Sequence, residues 1–560
     1  MTVRLRFHSV LATTLLLLVC PSPSRADWVT DGTPICAAVC DQVVISSIPD
    51  GNGGMYLAWD DNRICGNKIA YVQHVDRHGA PAPGWPALGR PVCTSTVGQT
   101  TPTMVTDGHG GAIVAWRDFR TGLSVFAERY APDGTSMWSP AGIAVCDAGS
   151  AEEGASLLPD GDGGVYITWM DHRLGLHTPH DILFTDFAQH IVADGTRAWG
   201  SMGVPISSDV VYQPPSIVSS GANGTLIAWG SDGMRMQRLD ALGAPLLGAN
   251  GVVVNGMTRY IVASDGAGGV ISTHGHVVSG QQSNLYAQRA DGSGNLLWGE
   301  ADNRLVAAAT SIDDMAPDGE GGVYIAGTDN GDVFVQRLDA SGNPAFGWST
   351  DGLDVSPVPG VQSRPRLLVN GSQGCIVAWQ DARNAASADD IYAQRVTAVG
   401  GIAPGWPNNG VTLCGAPGVQ GAPVITPDGT GGALVAWQDY RGDGDVYAQR
   451  VQSSGVLGDG SPVVAPEPVA GPAFAISAVF PNPSHSTAVH VSISLPNSAP
   501  ARLSLIDAQG RLISRQTVRV AGGGRASVTM DATRNLAPGV YMLRLDQSGR
   551  TMSRSMSIVQ

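Results

Sequence analysis

The sequence predicts an all-β chain: a toroid of small sheets, read as an eight-bladed β-propeller (seven blades being the alternative), followed by a small β-sandwich. Three observations carry this. A phrase close to D-G-x-G-G recurs, with clear copies beginning at Asp50, Asp107, Asp160, Asp265, Asp318 and Asp428, and worn copies at Gly221 and Gly371. Successive starts lie roughly 45 to 60 residues apart, the period of stacked β units. All 13 tryptophans fall at two positions of that repeat. The composition agrees, because 14% charged residues and 73 glycines in 560 suit a turn-dense β protein.

The first 26 residues read as a secretory signal. Arg4 and Arg6 give a positive start, residues 10–20 form an apolar core too short for a membrane span, and Ala26 suits cleavage. Val19 is too bulky for lipid attachment at Cys20. The net charge is -15, and of the 33 basic residues only Lys68 is a lysine. Such a chain has no basic stripe, which argues against nucleic acid or an anionic membrane surface as partner.

Residues 27–464 hold the repeats, and residues 101–146 are a good specimen. A short extended run ends at Thr106, and Asp107-Gly108-His109-Gly110-Gly111 turns the chain, since Asp and Gly tolerate positive φ. Residues 112–116 form a buried strand, 117–122 a loop, 124–130 a third strand, and 138–146 a short fourth strand. Four antiparallel strands in one repeat make one propeller blade.

The tryptophans set the register. Trp59, Trp116, Trp169, Trp229, Trp379 and Trp437 close second strands, while Trp28, Trp85, Trp138, Trp199, Trp298, Trp348 and Trp406 open fourth strands. A large apolar residue at one place per blade fills the wedge between sheets. Trp28 belongs to a fourth strand with no blade before it, so residues 28–36 are expected to join the last sheet and remove its exposed edge.

Cys36, Cys93, Cys146 and Cys414 each follow a tryptophan by eight residues, and Ser207 and Ser356 hold the same place. A position that alternates Cys with Ser reads as a small packed site, so buried thiols are expected. Cys36 with Cys40, or Cys65 with a neighbour, are the bridges left open.

Trp-x-Asp-x-Arg occurs five times: Trp59-Asp61-Arg63, Trp116-Asp118-Arg120, Trp169-Asp171-Arg173, Trp379-Asp381-Arg383 and Trp437-Asp439-Arg441. An Asp and an Arg two apart can pair and brace a loop, a structural role. One carboxylate per D-G-x-G-G turn supplies too few oxygens for Ca²⁺.

A binding site is expected where the repeat breaks. His274 replaces the tryptophan and His276 the aspartate of one unit, and a longer loop in another carries His172, His177, His180 and Asp181. No metal or cofactor is expected, and no catalytic residue is assigned. No nucleophile motif, Cys-x-x-Cys pair or phosphate loop occurs, and the Ser-x-Asp-x-Gly-x-x-Trp boxes of sialidases are absent.

Residues 465–473 are proline-rich and read as a semi-rigid linker. Residues 474–560 show short alternating strands at 488–495 and 501–507, the turn Gln509-Gly510-Arg511, and the run Pro538-Gly539-Val540-Tyr541. That pattern indicates a small β-sandwich. Phe480-Pro481-Asn482-Pro483, Asp507-Ala508-Gln509-Gly510-Arg511 and Leu536-Ala537-Pro538-Gly539-Val540-Tyr541 resemble the C-terminal sorting domains of the type IX secretion system and the FlgD-like immunoglobulin-type domains. The resemblance implies an immunoglobulin-like sandwich, export across the outer membrane and surface attachment. The terminal strand departs from the family, ending in Ser555-Met556-Ser557-Ile558-Val559-Gln560 without a lysine.

The reading is an exported, monomeric, non-enzymatic binding or adhesion protein. Its expected partners are an extracellular protein or glycan and, through the C-terminal module, the secretion machinery. The alternative is a secreted polysaccharide-acting hydrolase or lyase. Acids clustered on one rim would favour the enzyme, and apolar or aromatic loop tips would favour protein binding.

Overall fold

The computed structural model describes residues 28–64, 66–149, 152–173, 184–208, 211, 213–221, 224–230, 233–255, 260–276, 284–299, 304–308, 311–384, 388–460, 474–480, 484, 488–519, 524–548 and 550–559. The signal expected at 1–26, the linker at 465–473, Cys65, His177, His180 and Asp181 lie outside them. The chain divides into two compact units, Met1–Val463 and Val464–Gln560. It is all-β: the described residues form strands and two short 3₁₀ turns, Gly371–Gln373 and Asp531–Asn535.

Among the described residues the first unit contains eight four-stranded antiparallel sheets. In order they lie at 42–91, 99–144, 152–205, 216–255, 260–308, 311–354, 362–414 and 420–451, numbered here one to eight. Sheet eight takes its fourth strand from the start of the chain: Thr33–Cys36 pairs with Asp445–Val451, which pairs with Ala433–Asp439. The N-terminal strand therefore covers an edge that would otherwise be open.

Among the described residues eight apolar cores accompany the eight sheets, each shared by two neighbours. Tyr56 and Val72 of sheet one pack with Val114 and Trp116 of sheet two. The series ends where Leu434 and Ala436 of sheet eight pack with Met55 and Trp59 of sheet one. Burial on both faces explains the second strands, such as Ala433–Asp439, in which every residue is buried.

The D-G-x-G-G turn is closed by its own carboxylate as well as by its glycines. Asp50 Oδ1 accepts the amides of Asn52 (2.7 Å) and Gly54 (2.8 Å), while Gly51 and Gly53 take φ of 80° and 88°. The last glycine is needed for space, because a Cβ on Gly54 would lie 2.3 Å from the Val75 carbonyl oxygen. The carboxylate thus does part of the turning that a shorter loop would ask of the backbone alone.

The fourth strands also differ from expectation. That of sheet two is only Ile143–Ala144, and Trp138 precedes it rather than opening it. The reason is that this tryptophan is held from two sides. The amide of Trp138 donates to buried Glu128 (2.9 Å), and its indole N–H donates to the Ala193 carbonyl of sheet three (2.9 Å). The same indole bond crosses to the next sheet from Trp28, Trp85, Trp199, Trp298, Trp348 and Trp406, at 2.9–3.1 Å.

The second unit has a three-stranded sheet (Ala475–Phe480, Val489–Leu495, Gly524–Met530) and a four-stranded sheet (Leu512–Val518, Ala501–Ile506, Gly539–Gln547, Arg550–Ile558). Val489, Val491, Ile493 and Leu495 face one common core with Leu503, Leu505, Leu543 and Leu545, the period-2 burial of two sheets over one interior. Asp507 closes its turn by accepting the amides of Gln509 (3.0 Å) and Arg511 (2.8 Å). The Tyr541 hydroxyl donates to the Ala537 carbonyl at 2.7 Å.

Candidate functional site

The loops after the second strands are built from the Trp-x-Asp-x-Arg sequence. Trp116 Nε1 donates to Asp118 Oδ2 (3.0 Å), and Arg120 grips both oxygens of Asp118 (2.8 and 2.5 Å). The Arg120 guanidinium lies 4.1 Å over the Phe126 ring of the third strand. Its Nη2 also donates to Cys93 Sγ of the preceding sheet at 3.2 Å. Arg63, Arg173 and Arg441 make the same bond to Cys36, Cys146 and Cys414 (3.2–3.3 Å), and Arg383 to Ser356 Oγ (2.7 Å). At these five junctions the Cys/Ser position is therefore an acceptor that ties one sheet to the next.

This bracing absorbs the charges. Asp61, Asp118, Asp171, Asp381 and Asp439 are buried and paired. Burial pushes Asp439 up, but the hydrogen bonds from Arg441 and Trp437 outweigh it and hold the carboxyl below its usual range. Burial pushes the Cys36 thiol up to about 11, and Cys146 and Cys414 to about 12, so these groups stay protonated. Cys36, Cys93, Cys146, Cys375 and Cys414 are buried thiols, so the Cys36–Cys40 bridge left open above does not form. Cys36 instead accepts from Arg63.

The turns at the other end of the strands are also internally satisfied. The second oxygen of Asp107 takes Arg129 (2.9 Å), that of Asp265 takes Arg289 (2.9 Å), and that of Asp50 takes His74 (3.0 Å). A cleft of about 430 Å³ lies between the turns of sheets one and two, beside Asn52, Thr106 and His109.

Among the described residues Cys146, Glu152 and Asp171 bring three metal-type donors together. Arg173 already donates to Cys146 (3.3 Å) and Asp171 (2.5 Å), so a guanidinium supplies the cation there. Glu152 opens the first strand of its sheet, where other sheets carry Gln42, Gln99, Gln362 and Gln420. Burial pushes its carboxyl up to about 7, against bonds from Cys146 (2.6 Å) and the Val125 amide (2.9 Å).

His172 follows the second strand of sheet three, its ring 5.9 Å from that of Phe184. His274 and His276 lie on the second strand of sheet five, paired through the backbone with Tyr286 and Asn284. Sheet four stands between them in the order of sheets.

The end that carries the arginine loops also presents apolar tips, which the sequence reading missed. Val361 (63% exposed), Val419, Tyr440 (45%), Val39, Ile64, Val97 and Phe119 (44%) project there from sheets seven, eight, one and two. Backbone bonds fix them in pairs. The Phe119 amide donates to the Gly98 carbonyl beside Val97 (3.1 Å), and the Tyr440 amide donates to the Val419 carbonyl (2.8 Å). The available signal was the residue three after the tryptophan, Phe119 and Tyr440, which is apolar at an exposed loop. Acids share this end: burial, then Asp443 and Asp439, push Asp445 up to about 6.

Residues 478–559 match the family described as the secretion system C-terminal sorting domain. The match indicates export with attachment to the cell surface or secretion, and it implies contact with the type IX secretion machinery. No curated protein matches the chain. Among solved structures, a puromycin hydrolase is similar at 12% identity and TM-score 0.41, covering 74% of this chain and 61% of that one. A polysaccharide lyase of the PL25 ulvan lyase family is similar at 12% and 0.37, covering 76% and 96%. Prolyl oligopeptidase B from Galerina marginata is similar at 12% and 0.37, covering 80% and 54%. At these scores the likenesses carry no argument about activity.

Proposed function

We propose, from the premise that residues 478–559 fall in the sorting-domain family, that this is an exported, non-enzymatic binding or adhesion protein. In this reading a signal at 1–26 starts export, an eight-bladed propeller over 27–464 displays the binding surface, and an immunoglobulin-like module over 474–560 is the address. The observation that carries it is the run of exposed apolar tips on four consecutive sheets, from Val361 round to Phe119. A soluble surface seldom keeps contiguous apolar groups without a partner to cover them. The charged residues of the repeat are spent inside the fold, which leaves the tips as the chemistry on offer. Their partner is an extracellular protein or glycan, and the chain acts as a monomer.

A second reading, a polysaccharide-acting hydrolase or lyase, is favoured by Asp445, whose carboxyl is pushed up to about 6 beside Asp443, as a general acid needs. The test is a protein and glycan array probed with the mature chain, beside a polysaccharide turnover screen. Binding without turnover supports the first reading; turnover abolished by Asp445→Asn supports the second.

A further inference from the structure

Three kinds of bond recur between neighbouring sheets of the first unit, the second of them at five junctions. A tryptophan before the fourth strand donates its indole N–H to a carbonyl of the next sheet. The arginine of Trp-x-Asp-x-Arg reaches back to the Cys or Ser of the sheet before. A cation late in the third strand reaches a carbonyl of the following sheet, as His74 does to Pro132 (3.1 Å) and Arg395 to Ser453 (2.7 Å).

The junction between sheets four and five has none of these among the described residues. Leu247 stands where the indole should be: its amide takes the buried Gln237 carbonyl oxygen (2.8 Å), as the Trp199 amide takes Gln189. The sequence Trp-x-Asp-x-Arg is replaced in sheet five by one that starts at His274 and has His276 for the aspartate. Ser220 replaces the aspartate that in other sheets pairs with the cation at the place of Arg238.

The core of this junction differs in kind. Its buried members are Leu226, Ala228, Met234, Met236, Val254, Val270 and Ala290. Every other core between sheets contains a tryptophan. The Tyr260 hydroxyl of sheet five, packed against this core, is buried without a partner, and beyond sheet four both oxygens of Asp186 in sheet three and Trp229 Nε1 in the core of sheets three and four are stranded too. Burial alone holds the Asp186 carboxyl well above its usual range. Each such group is disfavoured while dry and relieved by water.

We propose that the junction between the fourth and fifth sheets is the seam at which this closed set of sheets opens, while the other junctions stay shut. The three recurring bonds are missing there, and the side-chain link between the two sheets is the Ser264 hydroxyl donating to the Ser219 carbonyl (2.8 Å). The apolar contact is made by aliphatic and thioether side chains without an indole, and hydration of the stranded Tyr260 hydroxyl favours the open form. Local opening of this kind draws on the least bonded part of a fold.

The methionines report on it. Met236 at this junction and Met55 at the junction of sheets eight and one are equally buried, at 0% exposure. In dilute hydrogen peroxide, followed by peptide mass spectrometry of the full chain, Met236 should oxidise at least about ten-fold faster than Met55. Leu247→Trp should bring the Met236 rate down toward that of Met55. Trp85→Leu should raise the rate at Met104, in the core between sheets one and two, and leave Met55 unchanged. Equal rates at Met236 and Met55 in the unaltered chain would overturn the seam, whether or not the Leu247→Trp chain folds. So would a Trp85→Leu chain in which Met104 stays as slow as before.

Discussion

At Asp118 a single carboxylate accepts one indole N–H and two guanidinium bonds, with no exposed surface of its own. Removing it leaves Trp116 and Arg120 without their acceptor inside the fold, so Asp118→Ala should cost about 3 kcal/mol or more in urea unfolding. Arg120→Lys keeps the charge but loses the fork and the stacking on Phe126, and should cost less, about 1–2 kcal/mol. Glu152 gives a pH test. Its carboxyl titrates near 7 in the fold against an ordinary value of 4.5. Stability from the neutral acid is fully present below about pH 4.5, falls as pH rises, and is gone above about 7. The unaltered chain should therefore lose at most about 3 kcal/mol across that window relative to Glu152→Gln, read as urea midpoints at pH 5 and pH 8. Equal pH profiles for the two chains would show that Glu152 is charged in the fold. The tryptophan register and the Asp–Arg pairs were legible because they are local repeats. The role of Cys93 was not, since its partner Arg120 lies on another sheet. The constant separation of 27 residues between each Cys or Ser and its arginine was the available signal.

The element with the largest leverage is Thr33–Cys36. It supplies the outer strand of the last sheet, and the segment before it is tied by Gln449 to the Val29 carbonyl (2.7 Å) and by Arg441 to the Asp31 carbonyl (2.6 Å). A chain beginning at Gln42 loses that strand and exposes the edge of Asp445–Val451. It should melt several degrees lower and self-associate in sedimentation velocity, whereas an unchanged melting point would mean the strand is dispensable. The thiols behind these loops are packed, so Cys93, Cys146 and Cys414 should react with iodoacetamide only after denaturation. Closure by the first strand was readable because residues 28–36 matched a fourth strand with no sheet before it. The shortness of the fourth strands was not, because Trp138 is fixed by Glu128 and by Ala193 of the next sheet, contacts that no local pattern encodes.

At the scale of the molecule, each unit buries its own core, the sheets of the first against one another and the two sheets of the second around Val491 and Leu505. Deleting residues 474–560 should leave the first unit folded, with its melting transition retained. In the native host the same deletion should hold the protein in the periplasm. Delivery of the shortened chain to the surface would reduce the second unit to a binding or structural domain. The most direct test of the account concerns the apolar end of sheets seven, eight, one and two. Phe119→Ser with Tyr440→Ser removes two exposed aromatic tips and leaves the buried braces beneath them intact. On a protein and glycan array the mature chain should bind, the double variant should lose at least about ten-fold in affinity, and neither should turn over polysaccharide. Unchanged binding by the double variant, or polysaccharide cleavage that survives it and is lost in Asp445→Asn, would contradict a binding role for this surface.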